Sequence, residues 1–168
     1  MICLGVSNGA VLSLLATAHD TDNLIDGIIA ESPYISLQDG VKDIIELTIA
    51  GMPWWAKAFL LAPLVIRLVI MTLTFRIGGP PLSSSVLAVV NSIKKPVLLI
   101  HGTLDNRFRT DHSLRLFEAL TEDTKELWFI EGGKHTEGFD ASPLEYQKKV
   151  LNFAHRHFQQ KATPLAMV

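Results

Sequence analysis

Cysteine, blocks of like charge and long uncharged apolar runs are all scarce in this sequence, and each shortage removes a class of protein. The single cysteine, Cys3, excludes an internal disulfide and a cysteine-rich zinc site. It is compatible with a reducing compartment. Lys and Arg number 15 against 17 Asp and Glu, with no basic run, so the footprint of a nucleic-acid-binding protein is missing. In the apolar segment 52–75, Lys57 and Arg67 divide the run and Pro53 and Pro63 lie inside it. Its uncharged stretches, 58–66 and 68–75, fall short of the roughly 18 residues a spanning helix needs. Residues 1–18 end in Ala16-Thr17-Ala18, which resembles a signal-peptide cleavage site. That stretch has no positively charged start, however, and Gly5, Ser7, Asn8 and Gly9 interrupt it. The expectation is a cytoplasmic chain, with residues 52–75 forming a buried or lipid-touching helical region that leaves membrane-surface contact open.

What remains is a chain of 168 residues, 48% of them apolar, which is enough for one domain with a real core. Its most informative stretch is Gly5-Val6-Ser7-Asn8-Gly9, between a short apolar run and a helix-like run from Ala10 to Ala18. A strand, a sharp turn with a central Ser and then a helix is the context that gives a G-x-S-x-G motif meaning. The tight turn calls for small residues on both sides of the Ser. The following helix start brings unpaired N–H groups close to the hydroxyl.

Alternation continues along the chain. Ile25 to Ala30 reads as a short strand after the polar turn 20–23, and 35–50 as a helix with Val41, Ile44, Ile45 and Thr48-Ile49 on one side. Pro63 is expected to break or kink the apolar segment. Gly78 to Pro81 and Ser83 to Ser85 are expected to form a loop. Val97 to Ile100 is a continuous apolar run, suited to a parallel strand buried on both faces. Asp111 to Leu120 reads as a helix with Leu114, Phe117 and Leu120 at helical spacing. Lys125 to Ile130 reads as a strand. A last helix runs from about Leu144 to Phe158, with Tyr146, Val150, Phe153 and Ala154 facing inward. Strands alternating with helices predict an α/β layered fold with a mainly parallel sheet.

In open parallel sheets, functional groups gather beyond the carboxyl ends of the strands. Ser7, Asp105 and His135 fall at such ends, in the order Ser, acid, His. A Ser hydroxyl is a poor nucleophile until an imidazole accepts its proton, and the imidazole needs a carboxylate to fix its tautomer. Asp111 and Asp140 remain alternative acids, although Asp105 follows the strongest strand. Ser7 in isolation could be a turn residue. His101 reads as structural, and His112, His155 and His157 as helix-surface residues; no metal site is expected. Trp54, Trp55 and Phe59 are candidates for an acyl pocket, with core packing or cap contacts the commoner role for such clusters.

Four stretches carry a family resemblance: Gly5 to Ala10, Glu31-Ser32-Pro33-Tyr34, Lys95 to Asp105 and Gly132-Gly133-Lys134-His135-Thr136-Glu137. Pro143-Leu144-Glu145-Tyr146 before the last helix fits as well. Together they resemble the C-terminal part of an α/β-hydrolase of the serine aminopeptidase-like or cinnamoyl-esterase-like kind. The resemblance implies a partial α/β-hydrolase domain over 1–168, with core 1–34 and 94–160 and a helical cap-like insertion at about 35–93. It implies Ser7 as nucleophile, His135 as general base and acid, Asp105 as orienting carboxylate and the Asn8 backbone N–H as an oxyanion donor. The implied reaction is cleavage of an ester, thioester or amide through an acyl-enzyme, with a small-molecule or acyl substrate and no cofactor.

Three departures stand beside it. The half of the fold with the first strands and the second oxyanion N–H does not precede Ser7, so the strand at 2–6 is expected to form an exposed apolar edge. Losing one oxyanion donor costs a serine hydrolase about 10²–10³ in turnover. Asn106-Arg107-Phe108-Arg109 stands where relatives usually carry a small apolar residue and Pro, and Ala10 stands where Gly is common. The alternative expectation is a catalytically inactive, truncated α/β-hydrolase fragment serving as a binding or scaffold module.

Overall fold

A computed structural model describes residues 1–77 and 85–158. Four strands, β1 (Ile2–Val6), β2 (Gly27–Glu31), β3 (Val97–Gly102) and β4 (Lys125–Ile130), form one sheet in the order β1-β2-β3-β4. Every pairing is parallel, and the register brings Val6 beside Glu31, Glu31 beside Ile100 and Gly102 beside Ile130. The carboxyl ends of all four strands therefore finish along one rim.

Every residue of β2 and β3 is buried, as their apolar runs Ile28–Ala30 and Val97–Ile100 require of strands covered on both faces, and the burial extends to Glu31 and His101 at their ends. The pleat divides their side chains between two cores. On one face, Ile28, Ala30, Val97 and Leu99 pack with Ala10, Val11 and Leu14 of α1 (Asn8–Ala18) and with Leu116 of α6 (Asp111–Ala119). On the other, Ile29, Leu98, Ile100 and Ile130 meet Tyr146 and Phe153 of α8 (Pro143–Phe158), the residues whose spacing marks the inward side of that helix. β1 lies at the sheet edge. Its register puts Leu4 beside Ile29, on the α8 face, yet Ile2 and Leu4 remain exposed.

Between β2 and β3 the chain forms α2 (Leu37–Thr48), α3 (Trp54–Leu60), α4 (Pro63–Ile77), α5 (Val86–Val89) and a 3-10 turn at Val90–Ser92. Ser36 caps α2 by accepting the Asp39 N–H at 3.1 Å. Pro63 is the first residue of α4, where its missing N–H is harmless, and the axes of α3 and α4 differ by 52° at this break. Val41 of α2 packs with Ile66 and Ile70 of α4 in a small separate core. No single helix among the described residues is long and apolar enough to cross a membrane.

Several expectations change. Leu114 is 41% exposed, because the inward face of α6 is made by His112, Ser113 and Leu116. Ile44 is exposed as well, whereas Val41 and Ile49 are buried. Trp54, Trp55 and Phe59 are not core residues, since α3 buries none of its side chains. The short α5 and α7 (Gly138–Ala141) have too few residues for a sequence period to reveal them. The expected loop lies outside the described residues except for Ser85, and so do residues 159 and 160 at the end of the expected core.

Candidate active site

The turn after β1 places Ser7 with φ 55° and ψ −117°, in a backbone region that L-residues seldom occupy. Its N–H donates to the Glu31 carbonyl at 2.8 Å, which pins the turn to the end of β2. Gly5 makes this geometry possible: a Cβ there would lie 2.3 Å from the Gly9 carbonyl oxygen. Gly9 carries no such requirement, because a Cβ on it would meet open space, so only one of the two motif glycines is sterically demanded. In α1 the Ala10 and Val11 N–H groups donate to the Ser7 carbonyl, while the Asn8 and Gly9 N–H groups precede the first intrahelical bonds.

Asp105 follows β3 in a loop that it organises itself. Its Oδ1 accepts the Arg107 N–H at 2.8 Å and the Phe108 N–H at 3.0 Å. Its Oδ2 lies 2.8 Å from His135 Nδ1 and 3.3 Å from His101 Nε2. Burial pushes the Asp105 carboxyl up, but hydrogen bonds from His101, His135 and the two backbone amides outweigh it and hold the group well below the usual carboxylate range. An ionised carboxylate only accepts, so His135 carries its proton on Nδ1. Its Nε2 is then an acceptor, and it lies 3.0 Å from Ser7 Oγ.

The structure therefore brings Ser7, His135 and Asp105 into one hydrogen-bonded line and leaves the alternative acids outside it. Asp111 is exposed and pairs with Arg115 at 3.7 Å, and Asp140 is exposed on α7. Ser7 and His135, with Asn106, Arg107, Thr136 and Glu137, line a cleft of about 500 Å³. Trp54, Trp55 and Phe59 are not among its lining residues.

Residues with no obvious sequence signal hold this line in place. Fully buried His101 has Nδ1 2.7 Å from Ser113 Oγ and Nε2 3.2 Å from the Phe108 carbonyl, so it braces Asp105 from behind. The Phe108 ring meets His135 edge-on, with centroids 5.0 Å apart, and packs on Tyr34 at 4.9 Å. Tyr34 in turn donates its hydroxyl to Asn8 Oδ1 at 2.8 Å, and burial raises its pKa.

His112 corrects the surface reading: it is 4% exposed, and its Nε2 lies 3.0 Å from Asp43 Oδ2. Asp43 also accepts the Arg109 N–H at 2.9 Å, while the Arg109 guanidinium pairs with Glu46. The Glu46 hydrogen bond and then the Asp43 charge raise the Arg109 pKa. Helix α2 is thereby tied to the loop that carries Asp105. On the opposite side, buried Glu31 accepts the Tyr146 hydroxyl at 2.7 Å and the Gly138 N–H at 3.0 Å. Burial and then that hydrogen bond push the Tyr146 phenol up. Among the described residues, no group of three or more His, Cys, Asp or Glu is arranged to hold a metal ion.

Several known proteins are similar to this chain in sequence or fold. The model of the prolyl oligopeptidase family matches residues 82–161. The uncharacterized protein YqkD of Bacillus subtilis is 31% identical over 150 residues, covering 89% of this chain and 46% of that protein. The esterase Pf2001 of Pyrococcus furiosus superposes with a TM-score of 0.68 at 23% identity, over 93% of this chain and 53% of its own. The acylaminoacyl peptidase of Pyrococcus horikoshii gives a TM-score of 0.61 at 21% identity, over 93% of this chain and 24% of its own. The chain thus spans about half the length of the curated relative and of the esterase. Its parallel sheet and flanking helices are those of part of an α/β-hydrolase fold.

Proposed function

We propose that this chain carries the catalytic line of a serine hydrolase that cleaves an ester, thioester or amide through an acyl-enzyme. The observation that supports it is the pair of contacts on His135: Nε2 3.0 Å from Ser7 Oγ and Nδ1 2.8 Å from Asp105 Oδ2. An esterase and an acylaminoacyl peptidase among the structural neighbours favour acyl transfer over other chemistry.

In this reading Ser7 Oγ attacks the substrate carbonyl carbon as His135 Nε2 takes the hydroxyl proton. The Asn8 N–H donates to the oxyanion that forms. Collapse expels the alcohol, thiol or amine, which receives the proton from His135. Water, deprotonated by the same imidazole, then releases the acid and restores Ser7. Asp105 stays ionised throughout and stabilises the imidazolium.

Steady-state hydrolysis of p-nitrophenyl esters of increasing acyl length tests the reading. The parent chain is expected to turn over, and Ser7→Ala and His135→Ala to lose about four to six orders of magnitude in kcat. Equal rates in parent and Ser7→Ala would overturn it.

A second reading, a non-catalytic binding or scaffold piece, draws on the exposed apolar side chains Ile2 and Leu4 of edge strand β1. A folded chain that binds a partner and never acquires an acyl group would favour it.

A further inference from the structure

Helix α4 is apolar almost all round but has packing for one side only. Ile66 and Ile70 are buried against Val41 of α2. At about 100° per residue, Leu64, Leu68, Met71 and Phe75 form a stripe on roughly the opposite side, and all four are exposed, Phe75 by 91%. Helix α3 continues the apolar surface across the bend with Trp54, 80% exposed, Trp55 and Phe59. A helix that is hydrophobic all round is ordinarily enclosed by protein or by lipid.

Charge separates lipid from a second copy of this chain. Residues 52–77 contain Lys57, Arg67 and Arg76 and no acidic residue. Arg67 and Arg76 are exposed and flank the stripe on its two sides. The acidic side chains of the packed helix α2 are engaged elsewhere: Asp43 with His112 and Arg109, Glu46 with Arg109 and Lys42, and Asp39 with Ser36. Two copies meeting through this face would set like charges against each other in apolar surroundings. A bilayer with anionic headgroups would take the apolar stripe into its acyl boundary, the tryptophans at headgroup depth and the basic groups against phosphate.

We infer that the exposed face of α3 and α4 is a docking surface for an anionic lipid membrane, on which both helices lie in the plane of the interface without crossing it. The inference is independent of any role for Ser7.

The test is co-sedimentation of the chain with vesicles of phosphatidylcholine alone and of phosphatidylcholine with phosphatidylglycerol. The tryptophan emission, which includes Trp54 and Trp55, is read in parallel. The chain should partition onto the anionic vesicles, with a blue shift, and release as salt rises. Arg67→Gln should weaken partition about fivefold, and Leu68→Ser with Phe75→Ser should abolish it while circular dichroism stays unchanged. No partition by the folded chain, equal partition onto neutral vesicles, or binding indifferent to the Leu68 and Phe75 changes would each overturn the inference. So would a dimer in sedimentation velocity that the same two changes dissolve, with no lipid binding in the parent.

Discussion

Gly102 and Gly133 touch through their backbones: a Cβ on Gly102 would lie 2.2 Å from the Gly133 carbonyl oxygen. One residue leads out of β3 towards Asp105 and the other leads from β4 towards His135, so this contact fixes the spacing of acid and base. The Leu104 N–H, donating to the Gly133 carbonyl at 2.9 Å, and the Gly132 N–H, donating to Thr103 Oγ1 at 2.9 Å, close the same junction.

Gly102→Ala is therefore expected to destabilise the chain by about 1–3 kcal/mol, since neither backbone segment has a free side-chain end that can swing away. A fall of roughly 2–12 °C in Tm by calorimetry is the readout. Gly9→Ala is the control. With open space at its Cβ position, it is expected to leave Tm unchanged or raise it, by up to about 1 kcal/mol from helix propensity. Equal losses in the two variants would contradict the steric account.

Asp105 sets a dependence on acid. Its pKa is held below the ordinary carboxylate range, so the unfolded chain binds a proton more readily than the folded one. The stabilisation is fully present above the unfolded carboxyl pKa of about 4 and is lost as pH falls below it, towards the folded value. Urea unfolding at stepped pH should show parent stability declining below about pH 4. Asp105→Asn should be less stable at neutral pH and flatter across the acid window. Parallel curves would contradict the assignment.

Asp43 holds the acid loop from the side of α2. Replacing it with Ala leaves the buried His112 ring nitrogen without its acceptor, which costs about 1–3 kcal/mol, and removes the acceptor of the part-buried Arg109 N–H, which water can partly replace. Asp43→Ala should lower stability by a comparable amount and speed hydrogen exchange at the Arg109 amide. An unchanged Arg109 exchange rate would mean that α2 does not restrain the loop.

What the sequence made legible follows from how local each signal is. Strand β3 is legible because a buried parallel strand is a continuous apolar run closed by loop residues, although it extends through His101 and Gly102. The bounds of the half-exposed edge strand β4 follow from its Leu-Trp-Phe-Ile run ended by Glu131-Gly132. Ser7, Asp105 and His135 could be singled out because each follows such a run beside glycine, although only folding brings Ser7 and His135, 128 residues apart in the chain, within 3.0 Å. His112 was misread because its partner Asp43 lies 69 residues away, and no spacing within α6 announces it. His101 reads as structural from its place at a strand end, as found, but its partners and those of Glu31 do not show in the sequence, since Ser113, Phe108 and Tyr146 reach them from other elements. Trp54 and Trp55 show the opposite failure: composition suggests burial, and only the packing of α3 shows that nothing among the described residues covers them.

The central claim, an activated Ser7, is tested most directly by intact-mass labelling of the purified, folded chain with a fluorophosphonate. A single phosphonyl adduct on the parent, absent from Ser7→Ala and strongly slowed in His135→Ala, is the predicted result. A folded parent chain that acquires no adduct, or one that Ser7→Ala acquires equally, would contradict it.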